Sequence, residues 1–472
     1  MSIKSRLLIR PKRQFFVVSL ICSYWFLSLY PARLGADYSA LLLMIREGKS
    51  TDWWTGSYYW FLRVTTIDGR FPEFTAALQL LIFACSILWF VYSLPGETKR
   101  KEIATNLFLC TPIFGFFGMT ISHDLTQTAG IILLCGTELR LLRKIPIRRL
   151  PVVYLVGIAL VLTTHSGLLI SIAVLLRVVA TKAIRLSVLI AFTIISFAIL
   201  ANLGLTKGLI VYGNFIETSW VKYWPSVNVL KCIAQHPEAE ISAQEWQTLI
   251  RLAPKSAWQK PVSCSDYDVT VGAVGHANIV KNNKVLTSNE YLKTYFSVFA
   301  KNPAIGVMAH IQRSRGALPP LLFQPPENQV SLDARIPIGA GTNTALQSGP
   351  ELLHPSIDIP GEEDRKPQLF NVLEYSAQGL AFILNQASWF WGWGGLWLFI
   401  ATILIFHRVR AVRFTRIVLS LYPAFLMHIA YLYFIPTSLP RYYMFSICMG
   451  VLLSIISLLE IDRDKLKELK DK

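Results

Sequence analysis

The sequence predicts a mainly α-helical, polytopic membrane bundle of about 10 spans, with N and C termini cytoplasmic and one large extracytoplasmic domain. Three observations predict it. Apolar residues make up 53% of the 472 residues and charged residues only 16%, where soluble chains run at about a quarter charged, and mean hydropathy is +0.44. The apolar residues gather in runs long enough, or nearly long enough, to cross a bilayer as helices. Lys and Arg collect between those runs. A net charge of +17 would suit nucleic acid if the basic residues formed one patch, but their distribution between apolar runs reads as membrane orientation, with no nucleic-acid partner.

The runs cover 14–33, 73–94, 103–121, 125–142, 150–164, 167–180, 186–204, 389–407, 417–435 and 441–459. The fifth and sixth are short enough to be one broken hairpin. The first is not a cleaved signal peptide, because it ends in Pro31-Ala32-Arg33 without a small-residue cleavage pattern and further spans follow. Lys and Arg in short loops resist translocation. Starting inside, the inner segments hold 25 of the 46 Lys and Arg, the short outer loops six and the long 205–388 segment 15. The chain therefore divides into an N-terminal membrane module, 1–204, with an outer loop at 34–72; an extracytoplasmic domain, 205–388; and a C-terminal membrane module with a basic cytoplasmic tail, 389–472. This describes a multi-pass protein of the plasma (inner) membrane. Of the 13 Trp, all except Trp25 and Trp89 fall in outer regions or at the outer ends of spans, as an interfacial aromatic belt requires; stacking of a sugar ring on one or two of them is the second reading.

Within the outer domain, Ser242 with Glu245 and Thr287 with Glu290 match the capping box that satisfies free amides at a helix start. The second of these helices should stop before Pro303, which opens a third running toward Arg315. From Gly316 to Pro367 the chain is rich in Pro and Gly without periodicity and reads as a long loop. Residues 369–387 read as an amphipathic helix along the interface. Five of the seven Cys lie in apolar runs, where a thiol behaves as a small hydrophobe. Cys232 and Cys264 are left together on the oxidising side, which predicts a disulfide, with two free thiols as the alternative. The spacing fits no zinc pattern.

Four polar clusters fall where the membrane edge should be: Asp37 in Gly35-Ala36-Asp37-Tyr38, His123 with Asp124, His165, and Arg441 with Tyr442 and Tyr443. The topology drawn from Lys and Arg sends all four to the outer face, and ionisable groups at such depth invite a functional reading. Each also has a structural role open to it. Asp37 suits the cap of a helix over 38–47, Ser122 or Asp124 the cap of the fourth span, His165 a hydrogen-bonded turn, and Arg441 a snorkelling anchor. Glycosyl transfer from a lipid phosphate needs such a set. A carboxylate takes the proton of the acceptor hydroxyl, and a cation holds the departing phosphate. Asp37 supplies the first and Arg441 the second.

On these features the chain resembles the GT-C superfamily of polytopic glycosyltransferases: an acid just after the first span (Asp37), a second acid in the outer loop joining the third and fourth spans (Asp124, preceded by His123), a large outer segment before the last spans, and Arg441-Tyr442 in the final outer turn. The resemblance implies an inverting transferase that uses a polyprenyl-phosphate-linked sugar and passes it to a glycan, lipid or protein acceptor of the cell envelope, with membrane lipid around it. It implies Asp37 as the base, Asp124 as an orienting acid, Arg441, Tyr442 and His165 near the donor phosphate, and His123 as an accessory group. Two acids and a histidine permit a divalent metal ion without requiring one, so no metal ligand or cofactor is assigned. Three other readings stand beside it: a ligase moving a preassembled glycan polymer, a transporter or flippase, which would place ionisable residues near mid-bilayer in broken helices, and a catalytically silent envelope scaffold.

Overall fold

The structure, a computed structural model, describes residues 3–30, 32–34, 36–51, 55–145, 147, 150–180, 193, 195–205, 214–216, 224–262, 264, 288–313, 372–373, 375–377, 379–380, 390, 393–408, 411–434 and 444–459. The chain opens with α1 (Ile3–Ser28), β1 (Arg33–Leu34), α2 (Ala36–Arg46), β2 (Lys49–Thr51) and α3 (Gly56–Thr65). It continues through α4 (Pro72–Ser93), α5 (Thr98–Leu109), α6 (Pro112–Met119), β3 (Thr120–Ile121) and α7 (His123–Leu142). Next come α8 (Leu150–Val161), α9 (Gly167–Ala180) and α10 (Ile195–Leu205). A further group comprises β4 (Asn214–Ile216), α11 (Trp224–Ala234), α12 (Ala243–Leu252), α13 (Lys255–Gln259), α14 (Ser288–Lys301) and α15 (Pro303–Arg313). The C-terminal part holds α16 (Gly394–Arg408), α17 (Ala411–Ser420), α18 (Tyr422–Phe434) and α19 (Met444–Leu459).

The protein is mainly helical and has helices fit to cross a membrane, though fewer than the ten runs suggest. Among the described residues only α4 and α7 are both long and apolar enough, with a third span if the bent pair α5–α6 counts as one. Three local causes account for the difference. Pro112 lacks an amide hydrogen and cannot continue the α5 ladder; Thr111 caps the new helix, accepting from Phe114 N, and the axis turns by 62°. The 162–166 turn separates α8 from α9, and the 12 residues of α8 reach only about 18 Å at 1.5 Å per residue. In α1 the first half carries Lys4, Arg6, Arg10, Lys12 and Arg13, so only its second half is apolar. α10, α16 and α19 are apolar but short.

One hydrophobic core joins residues of α1–α10 to α16–α19. Small residues let its helices cross closely. A Cβ on Gly130 of α7 would meet Gly157 O, Leu160 Cβ and Val161 Cγ1 of α8, each at 2.9 Å, and one on Gly450 of α19 would meet the Trp397 backbone of α16 at 2.6 Å. In lipid, where apolar side chains gain nothing by leaving their solvent, such backbone approach is what holds helices together. Trp25 is 1% exposed and donates to Leu109 O at 2.9 Å. Trp393 and Trp397, expected in the interfacial belt, are buried instead, Trp397 against Phe390 with ring centroids 4.8 Å apart. The core also takes in an acid that hydropathy runs pass over. Glu138, near the C-terminal end of α7, accepts from Tyr154 Oη at 2.7 Å and Tyr422 Oη at 3.4 Å, with Arg177 Nε at 3.9 Å.

A second core lies in the 205–388 segment, where α11–α15 surround Trp258, Leu249, Tyr291 and Val298. Trp258 Nε1 donates to Leu249 O at 3.0 Å. Cys232 of α11 is bonded to Cys264, with Cα atoms 5.8 Å apart. The expected capping box at Ser242 and Glu245 is present. α14 ends at Lys301 and Pro303 opens α15, as the sequence predicts. The Thr287 box, the 316–367 loop and most of 369–387 lie outside the described residues; within the last, Ser376 bonds Tyr24 of α1 at 2.8 Å.

Glu245 does more than cap. Burial raises its carboxyl, but donors outweigh burial: Lys301 Nζ at 2.8 Å, Ser297 Oγ at 2.6 Å, and Ser242 N and Oγ at 2.7 and 2.8 Å. Together they hold it down at about 2. A depressed carboxyl contributes stability that is complete above its ordinary value of 4.5 and is lost as pH falls toward 2. The expected result is that amide protection in α12 and α14, corrected for intrinsic exchange, declines from pH 4.5 to 2. In Glu245→Gln protection should be lower at neutral pH and flat across that acid range. A wild-type-like acid limb in the variant would refute the assignment.

Candidate functional site

Two short parallel strand pairs position the site. β1 pairs with β3 in the register Arg33↔Thr120 and Leu34↔Ile121. Asp37 and Asp124 therefore each follow a paired position by three residues, and each is the second residue of its helix, α2 or α7. β2 pairs with β4, Lys49↔Asn214 to Thr51↔Ile216, and so fastens the 34–72 loop to the start of the 205–388 segment. Asp37 sits inside the first turn of α2 and not at its cap, because the helix begins at Ala36. The cap of α7 is Ser122, whose Oγ accepts from Asp124 N at 3.0 Å.

Side chains from the two turns then meet. Tyr38 Oη lies 2.8 Å from His123 Nδ1 and 3.0 Å from Ser122 Oγ. Ser122 Oγ donates to Asp124 Oδ2 at 3.2 Å. His123 Nε2 lies 3.4 Å from Asp124 Oδ1. The tautomer that satisfies both imidazole contacts accepts from Tyr38 at Nδ1 and carries its proton on Nε2, facing Asp124. Asp124 is 3% exposed, whereas the His123 ring is partly open.

Around this chain the inner wall is polar but uncharged. Gln79 Nε2 of α4 donates to Ser122 O at 2.9 Å. The Tyr58 ring stands 5.5 Å from His123 and 6.1 Å from Tyr38 by centroids. Tyr58 Oη and Gln79 Oε1 are both buried, and the Gln79 amide interacts with the Tyr58 phenol. Burial, and after it the Asp124 charge, push the Tyr58 phenol well above its ordinary value, so it is a neutral donor. The turn bearing His165 is pinned to the same place. Thr55 Oγ1 donates to Thr163 O at 2.8 Å, Thr126 Oγ1 lies 2.8 Å from Thr163 Oγ1, and Gln127 Nε2 donates to Ser166 Oγ at 3.0 Å. Tyr431 Oη of α18 donates to Gln127 Oε1 at 2.9 Å, bringing the C-terminal helices to this end of α7.

The structure thus brings together His123, Asp124 and the turn that carries Asp37. His165 is exposed in the 162–166 turn, beside the network and not at its centre. Arg441 and Tyr442 lie outside the described residues. Cys232 and Cys264 form the disulfide of the second core, away from this constellation. Tyr38, Tyr58, Gln79, Gln127 and Tyr431 belong to the site and escape a search for charged groups; for Gln79, Gln127 and Tyr431 the signal is a Gln or Tyr inside an apolar run, where an amide or phenol needs a partner, whereas Tyr38 and Tyr58 lie in the 34–72 loop and carry no such signal. Among the described residues no three His, Cys, Asp or Glu side chains lie close enough together to hold a metal ion. Comparison of the chain with protein-family models, curated proteins and solved structures finds no match.

Proposed function

We propose that the protein is a membrane glycosyltransferase of the GT-C type, inverting, which moves a sugar from a polyprenyl-phosphate donor to an envelope glycan, lipid or protein acceptor at the outer membrane face. The observation that carries the reading is the paired turn. Two helices begin side by side, each with an acid as its second residue, and Tyr38, Ser122, His123 and Asp124 are linked across them. Helix N-termini present free amides and partial positive charge to anions, which suits a lipid phosphate. Asp37 takes the proton of the acceptor hydroxyl, the acceptor oxygen bonds the anomeric carbon, and the bond from that carbon to phosphate oxygen breaks. The phosphate leaves with the electron pair, held by Arg441 with Tyr442. Asp124, locked by Ser122 and His123, orients the sugar hydroxyls. A disulfide in the 205–388 segment supports an oxidising, extracytoplasmic side for that segment.

Glu138 is a buried acid within α7 of the kind a transporter would need, but two tyrosines and Arg177 satisfy it at the end of α7 opposite His123. Purified protein incubated with a panel of polyprenyl-phosphate sugars and acceptor extracts should release free polyprenyl phosphate from at least one donor, with the anomeric configuration of the product opposite to that of the donor. A folded protein that releases none from any donor refutes the reading.

A further inference from the structure

At the opposite end of α7 the structure holds a second polar construction that glycosyl transfer does not use. α7 and α4 both end there. Arg140 Nε donates to Ser93 Oγ at 2.8 Å, and its guanidinium lies 3.8 Å from the centroid of the Trp89 ring. Arg143, the C-cap of α7, donates through Nη1 to Ser93 O. Ser93, the last residue of α4, thus holds two guanidiniums in place. A cavity of about 370 Å³ opens beside them, lined by Pro95, Gly96, Leu139, Arg143, Arg416 and Ile417. This is within the ~300–1,000 Å³ range of ligand pockets.

The third guanidinium comes from α17, a short helix with one buried side and one open side. Ile417 and Ser420 are buried while Arg416 and Leu419 are exposed, a pattern that places a helix along a membrane surface. Neither Arg140 nor Arg416 forms an ion pair with any described residue. Leu139 and Ile417 line the cavity with the arginines, and exposed Leu419 stands three residues from Arg416 on the same helix, so a phosphate between Arg143 and Arg416 would have apolar side chains beside it for acyl chains. Guanidinium matches phosphate oxygens in pairs, and basic pockets between membrane helices take anionic head groups.

We propose that this cavity binds the phosphate head group of an anionic phospholipid, between Arg143 and Arg416, in the leaflet opposite the candidate glycosyl-transfer site. The test uses the full-length protein in nonionic detergent, with binding read by native mass spectrometry against dioleoyl phosphatidylglycerol, dioleoyl phosphatidylcholine and inorganic phosphate. Phosphatidylglycerol should bind at one tight site per chain, more weakly as salt rises. Arg416→Gln, on an exposed side chain, should weaken that site about fivefold and Arg143→Gln with Arg416→Gln about 25-fold. Equal affinity for phosphatidylcholine would overturn the proposal, as would inorganic phosphate competing at the lipid's own affinity, or Arg416→Gln binding as wild type. Because Arg143 also caps α4, the Arg416 variant decides the matter if the double variant does not fold.

Discussion

Asp37→Asn is expected to slow polyprenyl-phosphate release by about 10²- to 10⁴-fold, the usual worth of a positioned general base, with donor affinity little changed. As the proposed base, the carboxylate would act on the acceptor proton and not on the ground-state donor, so the loss belongs in kcat. Stability should change by no more than about 1 kcal/mol, the worth of an acid in the first turn of a helix, since Asp37 is the second residue of α2. Asp124→Asn should behave differently. Its carboxylate is buried and accepts from Ser122, so the amide disturbs the His123 contact and the packing of the turn, and donor KM should rise along with the fall in kcat. Kinetics on both variants, with thermal unfolding as the control for fold, separate the two roles. Full turnover in Asp37→Asn would remove it as the base.

Replacing Cys232 and Cys264 together with Ser should destabilise the α11–α15 domain by about 3–4 kcal/mol. The bond closes a loop of sequence separation 32, and the cost of leaving such a loop open in the unfolded chain is of that size. In hydrogen exchange this reads as amides of α11–α14 opening about 10²- to 10³-fold more often, at 1.4 kcal/mol per tenfold. The effect should be confined to that domain. Its core is made of residues from Val227 to Ala309, whereas the bundle core draws on α1–α10 and α16–α19, so protection in α4 and α7 should stay as in wild type. Equal loss of protection in both cores would show that the two fold as one unit.

Much of the helical architecture was legible because hydropathy is a local property. The runs at 73–94 and 125–142 became α4 and α7, and Ser242 with Glu245 marked the start of α12. The break of the 103–121 run was also written in the chain, as Thr111-Pro112, but a count of apolar residues does not register it. Glu138 escaped notice for the same reason, a single acid in a long apolar segment. The cluster at the start of α7 was legible only in part. His123 and Asp124 announce themselves as charges beside a span, whereas nothing local sets Tyr38 and Tyr58 of the 34–72 loop apart until the fold turns them inward.

By itself, then, the amino-acid order determined that this is a helical chain suited to a membrane, where its apolar helices run, and which two of its cysteines were free to pair outside them. Each of those follows from composition within a window or from elimination. Only the tertiary structure decided that Tyr38 meets Ser122, 84 residues away, that Gln127 meets Tyr431 across 304, and that Asp37 and Asp124 occupy matching places in neighbouring turns. Those contacts rest on a two-residue parallel strand pair and on close helix crossings at Gly130 and Gly450. A pairing so short leaves no periodic trace in either segment; its register exists only when distant backbones lie side by side.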